Sequence, residues 1–84
     1  MYKVVWTKSA QQGLKKLDFS IAQKLAYKVE SYLIKNPRKL GKPLVHEYKG
    51  CYRYRFGDFR VIYQVKEKEL IVLVLKTGHR KDIY

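Results

Sequence analysis

The chain has 84 residues, with 19 lysines and arginines against 7 acidic residues, a formal net charge of +12, and one cysteine. That length holds a single domain, residues 1–84, with one small core and no room for a second. So large a positive charge exceeds what solubility needs and costs stability through self-repulsion, so it points to a polyanionic partner, nucleic acid before an anionic membrane surface. No apolar run reaches membrane-spanning length, and Met1-Tyr2-Lys3-Val4 opens no signal-peptide core, so a cytoplasmic protein without a membrane partner is expected. Cys51 has no second cysteine to pair with, and no Cys/His spacing resembles a zinc site. Neither a structural metal nor a cofactor is expected.

Taken in order, Tyr2 to Thr7 is a short strand rich in β-branched and aromatic residues. Thr7 or Ser9 can cap a first helix whose buried side carries Ala10, Leu14 and Leu17, with Gly13 as a weak point. Asp18-Phe19-Ser20 breaks it. A second helix buries Ile21, Ala22, Leu25, Ala26, Val29 and Leu33, and Asn36-Pro37 ends it because the residue before proline avoids the α region. Pro37 to Lys49 is a basic connector, read as a loop leading to a short strand near Val45 to Tyr48. After the hairpin described next, Lys66-Glu67-Lys68-Glu69 is a polar turn. The continuous apolar run Leu70 to Leu75 reads as a central strand covered on both faces. The order β-α-α-β-β-β-β describes an α+β domain: two N-terminal helices packed on one face of a mostly antiparallel sheet of four to five strands.

The most informative stretch is Tyr52-Arg53-Tyr54-Arg55-Phe56-Gly57-Asp58-Phe59-Arg60-Val61-Ile62-Tyr63. Gly57-Asp58 suits a two-residue hairpin loop, which pairs Phe56 with Phe59, Arg55 with Arg60 and Tyr54 with Val61. Strand alternation then puts Tyr52, Tyr54, Phe56, Phe59, Val61, Tyr63 and Val65 on one face and Arg53, Arg55 and Arg60 on the other. The aromatic face should meet the helices and leave the arginine face open. Like charges directly opposite destabilise a sheet. Guanidiniums suit phosphate, so three of them at a hairpin tip point to an anion site.

This hairpin, together with the tail Gly78-His79-Arg80-Lys81-Asp82-Ile83-Tyr84, resembles the RelE branch of the RelE/ParE toxins of type II toxin–antitoxin pairs. The likeness extends to the strand ending in Trp6, the helical pair, Asn36-Pro37 and Tyr48-Lys49-Gly50. It implies a RelE-like, microbial-ribonuclease-like fold and a toxin that enters the ribosomal A site and cuts mRNA without a metal. The implied step is attack of a 2′-OH on the adjacent phosphate, leaving a 2′,3′-cyclic phosphate. Its implied partners are a small cognate antitoxin, the ribosome and mRNA. By position, Arg53 and Arg55 match the family's two basic strand residues and Arg60 its phosphate-binding arginine. Arg80 matches the tail arginine that acts as acid or charge stabiliser, and Tyr84 the tail tyrosine that stacks on a base.

One departure bears on mechanism. The well-characterised branch has lysines where this chain has Arg53 and Arg55, and a guanidinium is a poor base at neutral pH. The candidates left for that role are His79, beside Arg80, and His46, in the connector, with Glu47 as a further one. Two other functions fit the same chain. A ParE-like poison of DNA gyrase would need no nuclease site, and a non-catalytic RNA-binding module would bind without cleaving.

Overall fold

In the computed structural model, which describes residues 1–83, five strands make one sheet. They are β1 (Lys3–Trp6), β2 (Lys42–Pro43), β3 (Tyr52–Phe56), β4 (Phe59–Lys66) and β5 (Ile71–His79), in spatial order β1-β5-β4-β3-β2. Neighbours run antiparallel except β1 and β5, which are parallel. The first half of β5 lies between β1 and β4, with Val72 and Val74 buried on one face and Ile71, Leu73 and Leu75 half-buried on the other, so the second face of the apolar run is covered only in part. Leu70 stays outside β5, in the turn, at φ 54°.

Helix α1 (Lys8–Lys15) is fixed to β5 by polar contacts as well as packing. The Thr7 hydroxyl caps the helix by accepting from the Ala10 N–H at 3.1 Å and donates to the Leu75 carbonyl at 3.1 Å. Thr77 Oγ1 donates to the Ala10 carbonyl at 2.6 Å. A Cβ at Gly13 would overlap the Thr77 carbonyl oxygen, so the glycine sets how closely α1 approaches the sheet. Helix α2 (Phe19–Ser31) continues into a 3-10 turn at Leu33–Lys35. Leu25, Val29 and Leu33 are fully buried against Tyr54, Val61, Tyr63, Val72 and Val74. No helix among the described residues is long and apolar enough to cross a membrane.

The connector departs from the sequence expectation. Pro37 ends α2's extension but also starts a short helix, α3 (Pro37–Leu40), where its missing N–H is no loss. The Tyr63 hydroxyl donates to the Pro37 carbonyl at 2.6 Å and pins the helix to the sheet. The extra strand is Lys42–Pro43, not the segment near Val45. His46–Tyr48 is a 3-10 turn instead of a strand, because His46 holds φ 58°, a left-handed conformation no strand admits.

The arginine face is also less open than the alternation implied. The connector folds back across it, with the Leu44 N–H donating to the Cys51 carbonyl and the Cys51 N–H to the Tyr48 carbonyl, both at 2.9 Å. Cys51, Ile62 and Ile83 are buried there in a second small core, flanked by Leu44, Tyr48 and Leu75. Ile83 belongs to a terminal helix, α4 (Arg80–Ile83).

Candidate active site

The hairpin forms with the register the sequence implies. Arg55 pairs with Arg60, Phe56 with Phe59 and Tyr54 with Val61. Gly57 takes φ 58°, and Asp58 is not among the positive-φ residues, the pattern of a turn with glycine in its first central position. Arg53 sits opposite Ile62, and Lys42 sits opposite Arg53 on the other side, so Lys42 shares the arginine face. On β5, Gly78 stands beside Arg60. Ile83 of α4 packs over Gly78, 3.5 Å from where a Cβ would lie, which brings α4 beside Arg60.

Arg60 is 5 % exposed. Its Nη1 donates to the Gly57 carbonyl at 2.8 Å and the Phe59 carbonyl at 3.0 Å, which folds the side chain over the hairpin turn. Burial lowers its pKa, and the charges of Arg55, Arg53 and Arg80 lower it further, against a smaller opposing effect of Asp58. It stays charged, as arginines in proteins do. Arg60 thus lies within electrostatic reach of the other three guanidiniums.

Arg80 reaches the cluster through the turn. Its N–H donates to the Asp58 carbonyl at 2.8 Å, and its Nε lies 3.9 Å from Asp58 Oδ1. Gly78 is not where the chain turns. At φ 159° it is close to extended and lies inside β5, and the change of direction comes at α4.

The two histidines separate. His79 pairs with Phe59 in the ladder and meets its ring edge-on, centroids 5.6 Å apart at 87°. That is the helix-side face, away from the arginines. Its Nδ1 accepts from the Lys81 N–H at 3.2 Å, so the imidazole caps α4. His46 instead lines a depression with Leu44, Val45, Glu47, Tyr48 and Arg53, on the arginine side. Tyr84 lies outside the described residues. Lys42 was missed from the sequence: Gly41-Lys42-Pro43 reads as loop, and only the β2–β3 register puts it beside Arg53. Lys76 also faces this side, opposite Ile62, and its Nζ donates to the Tyr48 hydroxyl at 2.9 Å.

A helix-backed sheet with a guanidinium cluster at a hairpin tip defines a small basic α+β protein with a candidate anion site. Residues 4–84 match the family model described as the ParE toxin of type II toxin–antitoxin systems. Toxin RelG of Mycobacterium tuberculosis is 32% identical over 83 residues, covering 99% of this chain and 95% of that one. Toxin RelE of the same organism is also 32% identical over 83 residues, covering 99% and 86%. Among solved structures, the RelBE2 toxin–antitoxin complex of M. tuberculosis superposes with a TM-score of 0.88 at 30% identity, covering 94% of this chain and 98% of that one. The intact Escherichia coli RelBE complex, at 22% identity and a TM-score of 0.76 over 94% and 96%, shares the fold. The chain belongs to the RelE/ParE family, the toxins of type II toxin–antitoxin systems.

Proposed function

We propose that this toxin stops translation by cutting mRNA in the ribosomal A site. The observation that carries the reading is the convergence of Arg53, Arg55, Arg60 and Arg80 on one hairpin tip, where Arg55 and Arg60 stand directly opposite. In the proposed reaction the 2′-oxygen forms a bond to the adjacent phosphorus and the bond from phosphorus to the 5′-oxygen breaks. The 2′-hydroxyl proton goes to a base, the leaving oxygen gains a proton, and a 2′,3′-cyclic phosphate remains. Arg53, Arg55 and Arg60 hold the phosphate and balance the charge that grows on it, and Arg80 does so from the leaving-group side. That task needs no metal. Tyr84 would stack on a neighbouring base.

For the base, the geometry favours His46 over His79. His46 shares a depression with Arg53, whereas His79 lies on the opposite face with Nδ1 engaged by α4. His79 then acts through α4, by holding Arg80 at the turn. The relatives RelBE2 and RelBE were solved as toxin–antitoxin complexes. We extend that to a small antitoxin for this chain, with an acidic or amphipathic segment that covers the arginines or displaces α4.

The test is to add the purified protein to ribosomes programmed with mRNA and map the new 5′ ends. Cuts confined to the A-site codon, lost in Arg60→Ala, are expected; intact mRNA would overturn the reading. Because the matching family model carries the ParE name, the phenotype of expression is the second arm. Blocked protein synthesis is expected, and DNA-damage induction with filamentation and normal synthesis would move the target to gyrase.

A further inference from the structure

Beside the guanidinium cluster lies a depression of about 460 Å³ lined by Leu44, Val45, His46, Glu47, Tyr48 and Arg53. Its wall is locally strained, since His46 holds φ 58°, where non-glycine residues are rare. Its floor is apolar, and Val45 is 67% exposed there, a large aliphatic surface that the protein leaves uncovered. The Arg53 Nε–H is shut off from solvent and has no hydrogen-bond partner among the described residues. The strand register adds cations along one edge: Lys42 opposite Arg53, then Arg55 opposite Arg60 two residues further along β3.

An occupant must therefore be flat and apolar on its faces, carry acceptors and donors on its edges, and be joined to an anion. We propose that this depression is a nucleobase subsite for the nucleotide next to the scissile phosphate. The base lies on Leu44 and Val45, and its phosphate runs between Lys42 and Arg53. Glu47 stands on the rim as an acceptor, so it favours a base with an exocyclic amine, such as cytosine, over uracil, which lacks one. The identity of the ligand as RNA rests on the cleavage reading; the pocket chemistry does not. An aromatic side chain of a protein partner would fill the same floor but would have no use for the phosphate-sized row of cations.

Two measurements separate the subsite from the cleavage reading. The first follows the methyl resonances of Leu44 and Val45 in the full chain during titration with 5′-CMP, 5′-UMP and ribose 5-phosphate. Saturable shifts with 5′-CMP are expected, several-fold weaker binding with 5′-UMP, none at these methyls with ribose 5-phosphate, and at least tenfold weaker 5′-CMP binding in Val45→Asp. Silent methyls, or equal shifts with ribose 5-phosphate, overturn the subsite. The second maps cut sites on ribosome-bound mRNA for wild type and Val45→Asp, an exposed position outside the proposed chemistry whose change leaves the core untouched. A changed base preference at one position flanking the cut supports the subsite; cutting with unchanged preference overturns it. Methyl shifts with 5′-CMP in a protein that cuts nothing support the subsite and overturn the cleavage reading.

Discussion

Ile83 decides whether Arg80 is where catalysis would need it. A four-residue helix cannot hold itself together. Helix α4 is held by two backbone N–H contacts, to Asp58 and His79, and by Ile83, 3 % exposed against Cys51 and Ile62. Burying an aliphatic side chain of that size is worth about 1.5–3 kcal/mol, or about 10- to 150-fold in the equilibrium between a docked and a frayed α4. Ile83→Ala removes most of that. A four-residue helix outside the sheet can let go without unfolding it, so the loss should appear as fraying more than as global instability. The expected result is a cleavage rate down about 10- to 100-fold, less than the roughly 10²- to 10³-fold from Arg80→Ala, which deletes a group that balances transition-state charge. Since Ile83 acts only by placing Arg80, the double variant should be no slower than Arg80→Ala alone. Single-turnover cleavage of ribosome-bound mRNA by the four proteins measures this, with amide exchange in α4 as the structural readout. Multiplying losses in the double variant would refute the reasoning, as would wild-type cleavage by an Ile83→Ala protein whose α4 exchanges freely.

Arg60→Ala should slow cleavage by about 10²- to 10³-fold, and Arg60→Lys should recover little, since one ammonium cannot hold both turn carbonyls and a phosphate; full cleavage by either variant removes Arg60 from the site. Gly13→Ala, which in an exposed helix would gain about 1 kcal/mol, should instead lower the melting temperature, because its Cβ meets the Thr77 carbonyl; a rise would mean α1 can shift freely on β5. Glu67 accepts from Arg38 and from the Tyr2 hydroxyl, and these bonds hold its pKa below the usual carboxylate range. The stability this adds is present above the unfolded-state pKa of about 4.3 and is lost as pH falls through the lower folded value; denaturant midpoints against pH should show that acid loss in wild type and a shallower one in Glu67→Gln. His79→Asn keeps a side-chain acceptor for α4 and should cleave near the wild-type rate while His79→Ala falls several-fold; equal loss in both would return the imidazole itself to the chemistry.

How much of this the sequence discloses depends on how local the cause is. The hairpin register could be read directly, because Gly57-Asp58 fixes the pairing and every later position follows by alternation. The cap of α1 was readable to within two candidates, Thr7 and Ser9, of which the structure uses Thr7. The connector was not. Whether residues 45–48 form a strand depends on the left-handed φ at His46, and no residue type there announces it. Gly13 read as a weak point in a helix because the atom that needs it, the Thr77 carbonyl oxygen, is 64 positions away in sequence and adjacent only after folding. The histidines illustrate the same limit. His79 is next to Arg80 in sequence, yet one step along a strand reverses the face, so proximity in the chain put it on the wrong side of the sheet for the arginines.

The second small core explains how four like charges are kept together. Repulsion at the tip favours splayed side chains; Arg55 is exposed, and the other three arginines are held by something other than their neighbours. Arg60 is tied to two turn carbonyls, Arg80 to Asp58, and Arg53 lies beside the connector that Leu44, Tyr48 and Cys51 clamp to Ile62. The same crowding bears on the choice of arginine over lysine. Neighbouring cations push the pKa of any basic group down, as they do for Arg60. A lysine, starting near 10.4, would move toward the range where it can give up its proton, whereas a guanidinium starts so high that it remains a cation. At Arg53 and Arg55 the chain therefore has permanent charge where a lysine would offer a base. In the proposed cleavage the 2′-hydroxyl proton would go to a group outside the row, and His46, on the rim of the depression that Arg53 shares, is the imidazole on that side of the sheet.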